Sequence, residues 1–208
     1  MSEITILPVF PHTIAISTLR ESEVDENALE FVQNLEYVET AYDGSHSKSR
    51  SSTCFSVLES LPMLKRAVLD RFYALKNHYL FHTKNDFVIT TSWSTRAEKG
   101  DYSKFHDHRN CFYSGVYYFD GDENTGKIRF NNPHRKAWFL ECSKLNELNM
   151  NQMGVSPEKN MVIFFPSYMD HAIQEHRSHE TRYSIAFNLM PVGQLGMEDS
   201  AAFVQIPG

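Results

Sequence analysis

The sequence predicts a single, mainly β domain: a double-sheet jelly roll whose N-terminal helices pack on one face. At 208 residues, 41% of them hydrophobic, the chain is long enough for one domain with a sizeable core. Helical periodicity dominates about 1–82, whereas short β-branched and aromatic runs separated by turn residues dominate about 86–190. We therefore assign a helical support region and a jelly-roll core within one domain, 1–208.

The N-terminal region is predicted to supply entering strands and a first helix. Residues 3–18 alternate loosely between apolar and polar side chains, which suits one or two strands. Asp25 is placed to cap a helix over about 26–38. Its apolar residues fall on one stripe, as in a helix that buries one face: Ala28, Phe31, Val32, Leu35 and Val38.

A polar stretch and a second helix follow. The stretch over 43–53 is rich in Ser and lacks periodicity, which predicts an exposed connection, with a mobile lid over a pocket as the alternative. The second helix has Ser60 as its predicted cap and Pro62 in its first turn. Apolar residues at helical spacing predict its buried face: Leu64, Val68, Phe72, Leu75 and Tyr79.

The remaining core is predicted to be built from short strands. These cover 87–93, 114–119, 127–130, 161–165 and 183–187. Alternation in the last strand puts Tyr183, Ile185 and Phe187 on one face, and Arg182, Ser184, Ala186 and Asn188 on the other. We expect the apolar face to pack beneath the helices and the polar face to line the barrel interior.

Composition narrows the function classes. The formal net charge of −6, from 26 acidic and 20 basic side chains, disfavours a broad nucleic-acid-binding surface. No signal peptide and no apolar run long enough to cross a membrane are visible. Cys54, Cys111 and Cys142 are widely spaced and odd in number, which predicts reduced thiols and a cytoplasmic protein.

Three histidines are candidates for a metal site. His106 and His108 leave the same face of a predicted strand, because side chains alternate with period two. His171 follows a turn after another predicted strand, so the three imidazoles can converge on one divalent metal. The other histidines are interpreted as structural, with His176 and His179 at the surface near a predicted turn.

Arg182 adds an anion site to this cluster. An arginine that faces the barrel interior is costly unless an anion pairs with it. Its planar guanidinium suits a carboxylate held by two hydrogen bonds, to which Ser184 can add another. The alternative is an internal ion pair with Asp or Glu.

Four motifs then occur in a recognisable order: His106-x-His108-x-Asn110, Ser114-Gly115-Val116-Tyr117-Tyr118, Phe165-Pro166-Ser167 before His171, and Arg182-x-Ser184-x-Ala186-Phe187-Asn188. Trp93 and Gly100 fit the stretch upstream. Together they resemble a 2-oxoglutarate/Fe(II) oxygenase family over roughly residues 88–190. The resemblance implies a double-stranded β-helix core, the cupin-like form of the jelly roll.

The resemblance also implies a chemistry and roles for residues. His106, His108 and His171 would bind Fe(II), and Arg182, assisted by Ser184, would bind the distal carboxylate of 2-oxoglutarate. With O2, such an enzyme releases succinate and CO2 and hydroxylates a primary substrate. Further candidates are Tyr117 and Asn188 for positioning 2-oxoglutarate, Trp93 and Arg96 at the substrate entrance, and Tyr118 as a structural residue.

Two other functions stay open, because the usual triad of the wider superfamily has two histidines and one carboxylate. Here His108 occupies the middle position, and Asp107 points to the opposite side of a strand. Zinc also accepts three histidines and a water. One alternative is therefore a three-histidine, cupin-like dioxygenase that binds its substrate directly on the metal. The other is a non-catalytic jelly-roll protein that binds a metal.

Overall fold

Two antiparallel sheets and two helices make up the regular structure of this computed structural model, which describes residues 5, 11–39, 49–133, 141–197 and 199–207. The helices are α1 (Ala28–Gln33) and α2 (Pro62–His78), and Glu21–Glu23 and Val57–Ser60 form short 3-10 helices. The strands are β1 (Ala15–Thr18), β2 (Tyr37–Glu39), β3 (Arg50–Ser52), β4 (Asp86–Ala97), β5 (Tyr113–Tyr118), β6 (Ile128–Asn131), β7 (Gln152–Val155), β8 (Met161–Pro166), β9 (His171–Ile173), β10 (Arg182–Leu195) and β11 (Val204–Ile206).

The larger sheet has the strand order β1-β8-β5-β10-β4-β3-β2, with β11 paired to β10. The smaller sheet has the order β7-β6-β9. In the larger sheet, paired strands such as β1 and β8 or β4 and β10 are far apart in sequence, as in a jelly roll rather than a meander. This arrangement confirms the predicted fold class, a mainly β jelly roll with packed N-terminal helices.

Two apolar cores lie on opposite sides of the larger sheet. Phe72 of α2 packs with Ile185 and Phe187 of β10 in the core beneath the helices. Phe130 and Phe165 belong to a second core, formed by residues of β5, β6 and β8, and their rings lie 5.0 Å apart. The predicted division of β10 into a helix-facing apolar side and an interior polar side is thus confirmed.

Helix α2 matches its sequence prediction except at its ends. Pro62 starts it, and the predicted stripe is buried as far as Leu75, whereas Tyr79 lies just past the end and is exposed. Ser60 does not cap it. Instead the Asp25 carboxylate accepts the backbone N–H groups of Met63 and Leu64, at 3.4 and 3.0 Å. A carboxylate there satisfies N–H groups that have no partner within the helix.

Helix α1 is shorter than predicted, and the residues after it form a strand. It ends at Gln33, and the Asn34 side-chain amide donates to the Glu30 carbonyl at 3.0 Å. Val38, expected on the helical stripe, lies in β2. Local periodicity is overridden here because β2 pairs with β3.

The Ser-rich stretch was predicted to be an exposed connection, and for part of it this is wrong. Residues 50–52 form β3, where Ser51 and Ser52 are buried between β2 and β4. Residues 43–48 lie outside the described part of the chain. The alternative prediction, that this stretch is a mobile lid, therefore also falls outside it. As for membranes, neither described helix combines the length and apolar character needed to span a bilayer.

Candidate active site

Three histidine side chains converge where the smaller sheet meets the loop before β5. Nitrogen atoms of His106, His108 and His171 all lie within 4.8 Å of one another. His171 starts β9, and it exchanges both backbone hydrogen bonds with His106, each 2.9 Å long. The predicted strand around the histidine pair is therefore a single β-bridge in an extended segment. Alternation still puts both imidazoles on one side, with ring centroids 5.4 Å apart.

Backbone carbonyl groups form hydrogen bonds with the Nδ1 atoms of two of these rings, His106 and His171. His106 Nδ1 lies 2.9 Å from the Lys104 carbonyl oxygen, and His171 Nδ1 lies 2.9 Å from the Met169 carbonyl oxygen. Because a carbonyl oxygen only accepts, each Nδ1 carries a proton, and in the neutral form of such a ring the lone pair is on Nε2. Metal-binding histidines need this arrangement.

Burial keeps the two inner rings neutral. It lowers the pKa of His171 to about 3, and the neighbouring His106 and His108 lower it further by repulsion. Burial also lowers the pKa of His108. Both imidazoles are therefore unprotonated at neutral pH, in the form that binds a metal.

Asp107 does not take part in this cluster. Its side chain is exposed and forms an ion pair with Arg109, with 3.5 Å between Oδ1 and Nε. In the part of the chain that the structure describes, no Asp or Glu side chain joins the three histidines. The donor set is therefore three neutral nitrogens, which fit Fe(II) or another divalent transition metal.

His108 is supported by side chains from two strands. Its Nδ1 lies 2.8 Å from Asn188 Oδ1 on β10 and 3.0 Å from Ser114 Oγ on β5. Ser114 Oγ also contacts Ser167 Oγ at 2.9 Å. Asn188, expected to position 2-oxoglutarate, is thus engaged with a candidate metal ligand. Ser114 and Ser167 were missed as site residues, although Ser114 shares the interior face of β5 by simple alternation.

Arg182 is buried at the start of β10, on the same interior face of the strand as Asn188. Its Nη1 donates to the carbonyl oxygens of Thr125 and Gly126, at 2.7 and 3.3 Å. The turn that presents these carbonyls depends on Gly126, which has φ +77° and where a Cβ would lie 2.4 Å from the Gln174 oxygen. Between Arg182 and Asn188, this face of β10 carries only the small side chains of Ser184 and Ala186.

No carboxylate neutralises this arginine directly. None of the ion pairs among the described residues includes Arg182. Its Nε is buried and has no hydrogen-bond partner there. Burial lowers the pKa of Arg182, an effect that Tyr118 and Asp101 oppose. A buried cation with an open donor is a fitting site for an incoming carboxylate.

Tyr118 lies at this arginine, which corrects the expectations for both tyrosines of the pair. Its ring centroid is 5.6 Å from Arg182 Cζ, and its buried hydroxyl has no partner among the described residues. Tyr117 instead points into the core beneath the helices, and its hydroxyl donates to Asn160 Oδ1 at 2.7 Å. Burial raises the pKa of both phenols, so both stay protonated and can donate.

The other predicted site residues divide between the interior and the outer face. Ser184 lies beside Tyr118 in the β5–β10 register, and its hydroxyl contacts Thr95 Oγ1 at 2.6 Å. Trp93 is half-buried, with its ring 5.6 Å from that of His108. Arg96 is not brought to the site: it lies on the opposite face of β4, where it pairs with Glu98.

His176, expected at the surface, is fully buried. Its Nε2 lies 2.7 Å from the Glu180 carbonyl oxygen, and its backbone N–H donates to the Asp101 carbonyl at 2.8 Å. Burial of a loop residue depends on contacts that are distant in sequence, here with the segment after β4.

A surface cleft of about 480 Å³ adjoins the histidine cluster on the side of His108. Phe112 and Tyr168, which form part of its wall, are half exposed, at 49% and 58%. The charged side chains of Asp107 and Arg109 lie beside them. The cleft therefore presents both aromatic and charged surface beside His108.

Comparison with known proteins agrees with this geometry. Residues 91–188 match a family model described as "Putative 2OG-Fe(II) oxygenase". The match starts on β4 and ends at Asn188, so it contains the three histidines, Tyr118 and Arg182. Among curated protein sequences, none matches this chain significantly.

Solved structures show the same fold at low sequence identity. The α-ketoglutarate-dependent epimerase SnoN from nogalamycin biosynthesis is 12% identical with a TM-score of 0.63, covering 91% of this chain and 81% of that one. A prolyl hydroxylase from Trichoplax adhaerens, in complex with a hypoxia-inducible-factor peptide fragment, is 14% identical with a TM-score of 0.60, covering 85% and 83%. HygX from Streptomyces hygroscopicus, with nickel, 2-oxoglutarate and hygromycin B, is 13% identical with a TM-score of 0.53, covering 86% and 83%.

The jelly-roll fold, the cluster of three histidines and the buried arginine together fit a metalloenzyme that uses an acidic cosubstrate. The family match makes the class specific, because the matched region, residues 91–188, belongs to the 2-oxoglutarate/Fe(II) oxygenases. The protein is therefore an oxidoreductase of this class, using Fe(II) and 2-oxoglutarate, as its sequence motifs predicted.

Proposed function

We propose that His106, His108 and His171 hold the Fe(II) of this oxygenase. We propose further that Arg182, Tyr118 and Ser184 hold the distal carboxylate of 2-oxoglutarate. The reaction is the hydroxylation of a substrate carbon: 2-oxoglutarate, O2 and R–H give succinate, CO2 and R–OH. When bound, the metal supplies the activation of O2 for this oxidation.

One observation carries the cosubstrate assignment. The buried Tyr118 hydroxyl and the buried Arg182 Nε both lack partners among the described residues, on the same interior face. Unpartnered buried donors are rare in native proteins, and a carboxylate would accept from both. Electrostatics supports the same assignment. Fe(II) with dianionic 2-oxoglutarate and three neutral imidazoles is formally neutral, so the site needs no carboxylate ligand from the protein.

The residues of the chain have distinct tasks in this proposal. Arg182 and Tyr118 fix the far end of 2-oxoglutarate, which orients its keto acid end towards the histidines. The phenol of Tyr118 stays protonated, so it donates without carrying charge. Ser184 and Ala186, the small side chains between Arg182 and Asn188 on this face, would leave room for the cosubstrate. Trp93, beside His108, is proposed to border the space where the primary substrate enters.

The primary substrate is not selected by the fold. The similar structures include an epimerase of nogalamycin biosynthesis, a complex with hygromycin B and a complex with a peptide fragment. We propose that the substrate of this protein approaches along the cleft beside His108. Aromatic and charged groups at its wall suit a substrate with both apolar and polar parts. A cytoplasmic setting is also proposed, since Cys54 and Cys111 are free thiols.

An anaerobic titration tests the proposal. Protein reconstituted with Fe(II) is titrated with 2-oxoglutarate while visible absorption is recorded, and succinate is measured after O2 is admitted. A weak charge-transfer band that saturates with 2-oxoglutarate, followed by succinate formation, is expected. If Fe(II) binds but 2-oxoglutarate gives neither signal, the three-histidine, cupin-like dioxygenase replaces this proposal. The buried Arg182, whose Nε has no partner among the described residues, supports the 2-oxoglutarate enzyme over that alternative.

A further inference from the structure

Asn188 holds His108 through its side-chain amide. Its Oδ1 lies 2.8 Å from His108 Nδ1 and accepts the Ser114 hydroxyl at 2.8 Å. Its Nδ2 donates to Thr91 Oγ1 at 3.0 Å. The amide therefore bridges three strands, β10, β5 and β4, at the point where the candidate metal ligand enters the barrel.

This support differs in kind from that of the other two ligands. His106 and His171 face backbone carbonyls, which only accept, so their protons stay on Nδ1 whatever the nearby side chains are. A side-chain amide can present either an acceptor or a donor. If Asn188 turned its Nδ2 to the ring, His108 would carry its proton on Nε2, and that nitrogen could not bind a metal.

Two hydroxyl groups hold the amide in this orientation. Ser114 Oγ, itself in contact with Ser167 Oγ at 2.9 Å, donates to Asn188 Oδ1, on the side of the amide that faces His108. Thr91 Oγ1 accepts from the other side. The β4–β10 register shifts between Asn188 and Leu189, and such bulges re-aim side chains.

We propose that Asn188 is a positioning residue for the metal centre: it selects the Nδ1–H tautomer of His108 and aims its Nε2 at the other two histidines. The inference rests on the proposed metal site and deepens it. It assigns to Asn188 a role towards the metal instead of the contact with 2-oxoglutarate that the sequence suggested. It also explains how a single side-chain amide can prepare His108 to act as the third metal ligand.

Three variants test this assignment through metal affinity. Metal-free protein is titrated with Co(II), with visible absorption as the readout, for wild type, Asn188→Leu, Asn188→Asp and Thr91→Val. Asn188→Leu keeps the volume but loses the acceptor, and we expect its Co(II) affinity to fall about 10–100-fold. Asn188→Asp keeps an acceptor and adds charge, so its affinity should equal or exceed that of wild type. Thr91→Val frees the amide to rotate and should give an intermediate loss.

A second readout is independent of metal binding. In metal-free protein labelled with 15N-histidine, long-range NMR correlations report the tautomer of each ring. We expect Nδ1–H for His108 in wild type and a mixture in Thr91→Val. If Asn188→Leu does not fold, the Thr91→Val tautomer and affinity decide the matter.

The outcomes separate this inference from the proposed function. Unchanged Co(II) affinity in Asn188→Leu, or an Nε2–H tautomer of His108 in wild type, overturns the role of Asn188. A loss of 2-oxoglutarate affinity at saturating metal, without loss of Co(II) affinity, would return Asn188 to the cosubstrate pocket. Wild type that binds Co(II) but not 2-oxoglutarate would contradict the oxygenase assignment and leave this inference standing.

Discussion

The guanidinium of Arg182 lies over the ring of Tyr118, with 5.6 Å between Cζ and the ring centroid, and each residue carries a buried polar atom that has no hydrogen-bond partner among the described residues. In a folded core this is costly for both residues. Backbone carbonyls of Thr125 and Gly126 hold the arginine in place. In the proposed site, a ligand carboxylate would convert the two unsatisfied donors into charge-assisted hydrogen bonds.

Arg182 should control affinity for 2-oxoglutarate. Removing one partner of a buried charge pair typically costs about 3–5 kcal/mol. At about 1.4 kcal/mol per tenfold, Arg182→Ala should weaken 2-oxoglutarate binding by at least roughly a hundredfold. Arg182→Lys should recover only part, because an ammonium cannot make a two-pronged contact. Calorimetric titration of the metal-loaded protein measures the effect. Wild-type affinity in Arg182→Ala would refute the assignment.

Tyr118 and Tyr117 offer a matched pair of variants. Tyr118→Phe deletes a hydroxyl that is proposed to bind a carboxylate, a contact worth about 1.5–3 kcal/mol, so 2-oxoglutarate affinity should fall roughly ten- to a hundredfold. Tyr117→Phe deletes the hydrogen bond to Asn160 on the other face of the sheet. It should reduce stability by about 1 kcal/mol and leave 2-oxoglutarate affinity unchanged. Equal effects of the two substitutions on affinity would contradict the proposed pocket.

Variants of His108 and Asp107 form a second matched pair, which distinguishes the proposed metal ligand from the residue next to it. His108→Ala should lower Fe(II) affinity by orders of magnitude, because only two imidazoles remain in the cluster. Asp107→Ala breaks an exposed ion pair with Arg109 and should leave stability within about 0.5 kcal/mol and metal affinity unchanged. Metal content after anaerobic reconstitution is the measurement. Iron retained in His108→Ala but lost in Asp107→Ala would exchange the roles of the two residues.

The sequence predicted the elements whose periodicity decides their structure. The stripe of α2 and the two faces of β10 follow directly from side-chain spacing, and both are found as expected. The same rule could have excluded Arg96, since residues three apart on a strand, such as Trp93 and Arg96, point to opposite faces. Arg96 accordingly lies outside the site, where it pairs with Glu98.

Features that depend on strand pairing could not be read from the sequence. Whether Tyr117 or Tyr118 faces the interior depends on the register of β5 against β10, and a shift of one residue exchanges them. Asp25 was predicted to cap the first helix, but α1 starts only at Ala28, and the tertiary fold brings the Asp25 carboxylate to the start of α2. The hydrogen bond between His108 and Asn188 joins residues that are distant in sequence, so no local sequence pattern predicts it.

Far from the candidate metal centre, Glu23 should make the stability of the protein depend on pH. Glu23 accepts hydrogen bonds from the Arg20 backbone and side chain, at 2.8 and 3.1 Å. Arg71 of α2 also donates to it, at 2.9 Å. These contacts, those with Arg20 foremost, lower the pKa of Glu23 to about 2 against the opposing effect of burial. The carboxylate thereby ties the 3-10 helix at Glu21–Glu23 to α2.

The sign of the effect follows from this depressed pKa. An unfolded Glu has a pKa near 4.5, so between pH 4.5 and about 2 the unfolded chain binds a proton that the folded protein does not. The stabilisation by Glu23 should thus be complete above pH 4.5 and disappear as the pH falls towards 2. Glu23→Gln should be less stable than wild type in denaturant titrations at pH 7, with the difference closing by about pH 2.

Glu30→Gln, at an exposed position, serves as the control and should stay within about 0.5 kcal/mol of wild type at pH 7. A Glu23→Gln deficit that is the same at pH 7 and pH 2 would mean that the side chain stabilises by packing and not by its charge.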